Sequence, residues 1–241
     1  MPLRRSLALS IFLISTVVTN LAKAVFQAPP TVDSVLMQYH IPNTIPTLRA
    51  ALKNPDPNIR TLVAGVLAQD KDVDSIPLLR EALESEQIES VKLSIATALA
   101  SLKDYKGLDS LKTTCNDRDV RSTTRLIAAN RLLEAGRDDC TASVVDILGE
   151  TPDPSSRELG LQYLRRITSA PSFLLPMLQT ILLNELRDTS PINRQYASEC
   201  ISVFGDVNAI PALEKAISIE KDQATRFHLE ENLHRIKARL K

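Results

Sequence analysis

The chain has no tryptophan, only four Tyr and five Phe, and only six glycines and three histidines among its 241 residues. So few aromatics leave little with which to stack on nucleobases. Formal net charge is zero, whereas nucleic-acid binding needs a net basic surface that displaces counterions. The scarcity of glycine leaves little room for an active site built from loops. No Gly-rich phosphate loop, nucleophile elbow, Cys-x-x-Cys or His-Glu-x-x-His occurs anywhere. On the last stretch Glu230 and His234, and His228 and Glu231, are spaced to share helical faces. Tight metal sites recruit three or four ligands, so these pairs read as a solvated face. The sequence points away from an enzyme and from any catalytic residue, metal or cofactor.

What is present is a repeat. An apolar residue, usually Pro, one residue, an apolar residue, three residues and a small or apolar residue recur six times. The copies begin at Ile45, Ile76, Leu108, Thr141, Leu175 and Ile210, spaced 31, 32, 33, 34 and 35 residues apart. A near-constant period in this range marks a stacked array, because one unit alone cannot bury its apolar face. Within each copy the i, i+3, i+7 spacing puts the apolar residues on one helical face. Pro sits where a first helical turn tolerates a missing N–H. After a polar turn comes a basic residue with an apolar residue seven positions on: Arg60 and Leu67, Lys92 and Leu99, Arg125 and Leu132, Arg157 and Leu164, Arg194 and Ile201, Arg226 and Leu233. Asp56-Pro57 and Asp153-Pro154 supply an N-cap and first residue for a second helix. Each copy is therefore a hairpin of two helices. A hydrophobic content of 44% suffices for a continuous core between them.

Asp56-Pro57-Asn58-Ile59-Arg60 and Gly205-Asp206-Val207-Asn208-Ala209-Ile210-Pro211-Ala212-Leu213 resemble HEAT repeats of the short variety found in bilin-lyase-type proteins. The resemblance covers residues 44–241 and implies an all-α, right-handed α-α superhelix of about six hairpins. It also implies an Asp–Arg ladder between neighbouring repeats, although the acid four residues before the basic position is present only as Asp56, Asp153 and Asp222. Tetratricopeptide and ankyrin units fit worse, since their Trp and Thr-Pro-Leu-His signatures are absent.

Ahead of the array, residues 1–24 read as a Sec-type signal peptide. Arg4 and Arg5 lead into a 12-residue apolar run from Leu7 to Val18, and Ala22-Lys23-Ala24 offers small residues at the −3 and −1 positions. The run is shorter than the ~20 residues that span a bilayer. Cleavage would leave 26 basic against 29 acidic residues, a net −3, and no transmembrane span in the mature chain. Residues 25–43 are a linker followed by a helix from Thr31 to Tyr39, expected to cap the first repeat. The protein is expected to be exported, either periplasmic or secreted.

The three cysteines are Cys115, Cys140 and Cys200. Cys115 ends one first helix and Cys140 precedes the next. If those helices run parallel and level, a helix of about eight residues (~12 Å) separates them, beyond the ~7 Å limit for bridged Cα atoms. Three free, largely buried thiols are expected, with a Cys115–Cys140 bridge as the alternative.

With the basic residue of each second helix as zero, positions +1, +5 and +8 face away from the core and would line the inner wall of the superhelix, the usual binding surface of a solenoid. The candidate groove residues are Leu93, Thr97, Leu126, Asn130, Leu133, Glu158, Gln162, Arg165, Glu199 and Phe227. Exposed leucines at Leu93, Leu126 and Leu133 would mark an interface. The expected function is an exported, non-enzymatic protein-binding scaffold that holds a peptide or protein segment. A structural spacer of the cell envelope is the alternative. A bilin-lyase-like enzyme or chaperone, which the resemblance also implies, conflicts with the export signal.

Overall fold

The computed structural model describes residues 31–150 and 153–241; the expected signal peptide lies outside the described residues. Thirteen α-helices and no strand occur among the described residues. Among the described residues, 31–44 belong to one unit and Ile45–Lys241 form another. In the first, helix α1 (Val32–Gln38) is capped by Thr31, whose hydroxyl accepts from the Ser34 N–H at 3.2 Å. It ends on His40, at φ 55°.

The second unit holds six consecutive hairpins. They pair α2 (Ile45–Ala51) with α3 (Pro57–Gln69), α4 (Ile76–Ser85) with α5 (Glu89–Ser101), and α6 (Tyr105–Asn116) with α7 (Ser122–Glu134). The last three pair α8 (Thr141–Glu150) with α9 (Pro154–Leu164), α10 (Leu175–Glu185) with α11 (Pro191–Phe204), and α12 (Ala209–Ile219) with α13 (Gln223–Arg239). The second helices α3, α5, α7, α9, α11 and α13 pack side by side in chain order. The core is mostly aliphatic, with Leu48, Leu67, Leu79, Leu99, Leu111, Leu132, Leu164, Leu182 and Leu213 almost wholly buried. Where backbones come closest a side chain is excluded. A Cβ on Gly107 would meet the Ala100 nitrogen and Leu99 Cβ at 2.5 Å, so α6 lies directly on α5.

Helix starts follow the sequence. Asp56, Asp104, Asp153 and Asp222 each cap a helix, accepting from the N–H groups of Asn58, Lys106, Ser156 and Thr225 at 2.8–3.1 Å. The acids before the basic positions are therefore caps, and the interhelical ladder is built from other residues. Helix ends divide the array. In the first three units Lys71, Lys103 and Gly136 adopt φ of 56°, 63° and 85°. Their N–H groups, and those of the residues after them, return to carbonyls of the last helical turn, the left-handed closure that satisfies a helix C-terminus.

The first helices are parallel but not level. Arg49, four residues into its unit, pairs with Asp72, four residues before the next, at 2.5 Å. Arg80 pairs with Asp104 in the same way, and Gln179 donates to Asp206 at 2.6 Å. Lys112 reaches Asp139 at 3.1 Å, and Ser143 donates to Asn116 at 2.5 Å. Successive first helices are thus slid by about two turns, so the end of one lies beside the start of the next. That corrects the expectation of three free thiols. Cys115 and Cys140 form a disulfide with Cα atoms 6.1 Å apart, because the slide removes the helix length assumed to separate them. Cys200 is free and buried, and burial pushes its thiol well above the ordinary range.

Candidate functional site

Two hollows lie over the second helices and share Ile127 and Arg131. The first spans α3, α5 and α7 and is lined by Thr61, Gly65, Ala68, Leu93, Ser94, Thr97 and Ile127. Its wall is small and apolar, with Arg131 at the far edge. The second spans α7, α9 and α11 and is lined by Ile127, Asn130, Arg131, Glu134, Leu159, Gln162, Arg165, Arg166 and Tyr196. Together they make a groove across five units' worth of chain, changing from apolar to charged as it runs.

The candidate residues divide accordingly. Leu93 and Thr97 line the first hollow. Asn130, Gln162 and Arg165 line the second. Glu199 stands beside it, paired to Arg165 at 2.7 Å, and the half-exposed Glu158 accepts from Gln162 at 3.1 Å. Phe227 is 64% exposed on α13 and belongs to neither hollow. Leu133 is half-buried and also lines neither. Leu126 is fully buried, which removes it from the surface. Asn130 on the same helix donates to the Leu159 carbonyl of α9 at 3.1 Å. This draws α7 onto α9 and closes over Leu126, leaving Ile127 in the groove.

The +1, +5, +8 row missed the residues at +2. These are Leu62, Ser94, Ile127, Leu159, Tyr196 and His228, all but one apolar or aromatic, and all half-buried. That bias was visible in the sequence. The groove face is therefore broader than the expected row and extends to its +2 and +9 side: +5 lines it in successive units, Leu93 and Arg165 at +1 and +8 stay in it, and Ser94, Ile127, Leu159 and Tyr196 at +2 join them.

In the charged half, side chains hold one another. Arg165 lies over the Tyr196 ring at 4.5 Å while paired to Glu199, which fixes the guanidinium flat against the groove wall. Arg131 pairs with Glu134 at 2.9 Å, and Arg166 approaches the same carboxylate at 3.8 Å. Beneath the surface Asn232 donates to the Ser198 hydroxyl at 2.9 Å, and Gln195 to that of Thr225 at 2.9 Å.

At the edges of the units, arginines join one repeat to the next. Arg60 clasps Glu86 of the following unit with two bonds of 2.7 and 3.0 Å and donates to the Asn54 and Pro55 carbonyls of its own turn. Glu86 in turn accepts from the N–H groups of Gln87 and Ile88. Arg194 repeats this on Glu220, at 2.6 and 2.7 Å. The guanidinium bonds hold both glutamates below the usual carboxylate range. Among the described residues there is no cluster of three or more His, Cys, Asp or Glu able to hold a metal. No described helix is long and apolar enough to cross a membrane.

Comparison with known proteins agrees with the geometry. Residues 45–128 match the family model for HEAT repeats. A computationally designed armadillo repeat protein for modular peptide recognition is similar at 17% identity, covering 80% of this chain and 99% of its own, with a TM-score of 0.52. A designed armadillo repeat protein in complex with the peptide (KR)4 is similar at 17% identity, covering 80% and 100%, with a TM-score of 0.53. At such identity the likeness is one of fold, an all-α repeat superhelix. No match is found among curated proteins. The stretch 45–128 thus carries the HEAT-repeat pattern, and the same two-helix build continues through the last unit.

Proposed function

We propose that this chain is an exported binding scaffold that holds an extended peptide or protein segment along the groove of its second helices. The observation that carries the reading is the unbroken line of Leu93, Ile127, Leu159 and Tyr196 through successive units, half-exposed and facing one groove. Contiguous apolar surface of this kind usually marks an interface. The likeness to designed proteins that recognise peptides supports it, and a side-by-side helix layer is the surface solenoids commonly offer. Apolar side chains of the partner would sit over Leu93 and Ile127, and polar ones against Asn130, Gln162 and Arg165. Export rests on the signal-like first 24 residues and is supported by the Cys115–Cys140 bridge, since disulfides persist in oxidising compartments.

The test is a double substitution, Leu93→Asp with Ile127→Asp, probed against an immobilised panel of ten-residue peptides. Peptide capture is expected to fall to background while the melting temperature stays within a few degrees of wild type. Capture that survives the double change would remove the groove from the account. For export, mass spectrometry of protein from the producing cell should find a mature N-terminus at Val25; a chain still starting at Met1 would overturn that part.

A further inference from the structure

One joint between units departs from the other two of its kind. At the first-to-second and fifth-to-sixth joints a single arginine meets a single glutamate with both guanidinium bonds made. At the fourth-to-fifth joint one arginine faces two carboxylates. Arg157 on α9 places Nη2 at 2.7 Å from Asp188 Oδ2, and its Nε lies 3.9 Å from Glu185 Oε1, too far for a bond. Glu185 is 6% exposed and the Asp188 side chain 3%. Arg157 Nε, Glu185 Oε2 and Asp188 Oδ2 are all buried without a hydrogen-bond partner, so the Arg157–Asp188 contact is an ion pair without hydrogen-bond geometry. The charges acting on Glu185 are those of Arg157 and Asp188. On α11, Arg194 feels Asp188 but is committed to Glu220.

Two buried carboxylates sharing one cation cannot both ionise without cost, because the second negative charge is left without an opposite partner in a low-dielectric site. A proton on Glu185 removes that charge and supplies a donor toward the neighbouring Asp188. We propose that the fourth-to-fifth joint is a proton-operated hinge in the array, closed when Glu185 carries its proton and loosened when it does not. The energetics point the same way: burial first, and the Asp188 charge, push the Glu185 carboxyl up to about 7 against the pull of Arg157. The joint sits at the start of α9, and at that helix's other end Arg165 is joined to Glu199 on α11 across the same two units. Loosening it would separate those two helices and widen the groove there. The inference stands on the fold alone and holds whatever segment the groove takes.

The experiment uses the full chain, with carboxyl-detected NMR for Glu185 and hydrogen exchange for the joint. The Glu185 carboxyl is expected to titrate near neutral pH, above Glu86 and Glu220. Once corrected for intrinsic chemistry, amides at the end of α10 and the start of α11 should lose about tenfold of their protection between pH 5.5 and 8.5. Glu185→Gln, which keeps the protonated shape, should abolish that step and stay protected throughout. Asp188→Asn frees Arg157 for Glu185 and should bring the glutamate back down toward the ordinary carboxylate range. A wild-type Glu185 that titrates in that ordinary range would overturn the hinge. So would a protection step that persists in Glu185→Gln, or a Glu185 midpoint unmoved by Asp188→Asn. Peptide capture is not a readout, so failure of the groove reading and failure of the hinge remain distinct results.

Discussion

The first three units and the last three repeat one backbone plan and share the arginine–glutamate clasp between units, but they differ in what stands beneath and along the groove. Immediately before the basic position of the second helix stand Ile59 and Val91 in the first two units, both buried. Thr124 follows, and then Ser156, Asn193 and Thr225 in the last three, buried as well. The early units close their second helices with a left-handed residue; among the described residues the later ones show no positive φ. In the early units the groove wall is small and apolar, and in the later ones it is braced by Arg165, Glu199, Tyr196 and Gln162. Apolar packing is non-directional, whereas a buried polar network specifies one geometry and is costly when half-made. One period therefore accommodates a groove wall that is apolar at one end and set by bond directions and charge at the other.

The largest blow to the apolar half should come from Leu99→Ala, which empties a fully buried position on α5. A loss of about 3 kcal/mol is expected, read as a lowered urea midpoint. Nearly as large is the removal of the tie between the halves. Cys115→Ser with Cys140→Ser opens a loop with a sequence separation of 25 and should cost about 3 kcal/mol, matched by adding reductant to wild type. In the polar half, Asn232→Ala strips the Ser198 hydroxyl of its donor and should cost about 2 kcal/mol. Adding Ser198→Ala should recover part of the loss, since removing both partners leaves nothing unsatisfied.

Lys71→Gly and Lys103→Gly should each stabilise the early half by up to about 1 kcal/mol, because a side chain at positive φ carries a steric cost that glycine avoids. Gly136→Ala, at φ 85°, should do the reverse.

The smallest effect is in the slope of stability against pH. Glu86 and Glu220 are depressed from 4.5. Their contribution is present above that value and is lost as pH falls through their folded-state values. Glu185 is raised from 4.5 to about 7. Its contribution is complete below 4.5 and is lost as pH rises through about 7. Glu86→Gln should therefore flatten the acid limb of the stability profile, and Glu185→Gln the limb between about 4.5 and 7. If both variants flattened the same limb, the contrast between the joints would be wrong.

The sequence carried the architecture because each hairpin repeats its own evidence: apolar residues three and four apart, a Pro at the start, and a basic residue seven before an apolar one. Helix existence and pairing follow from such local spacing. The groove was legible but for its +2 and +9 side. Thr97, Asn130, Gln162 and Arg165 face it, while Leu126 is buried and Ile127 stands in the groove, on a helix whose Asn130 is bonded to Leu159 of the next unit. The slide between first helices is also a property of neighbours. No pattern within a single repeat encodes it, so the bridge between Cys115 and Cys140 could not be read from spacing that assumed level helices. The paired carboxylates at Arg157 were hidden for a related reason: Glu185 and Asp188 look like turn residues until the preceding unit is laid against them.

The bridge also sets how this molecule behaves as a tether. Pulled from its ends, a chain without it could pay out its full contour. With Cys115 and Cys140 joined, the segment between them, a sequence separation of 25, stays looped, withholding about 80 Å of reach at ~3.4 Å per residue. Under tension the array would carry that hidden slack at its middle and release it only under reducing conditions.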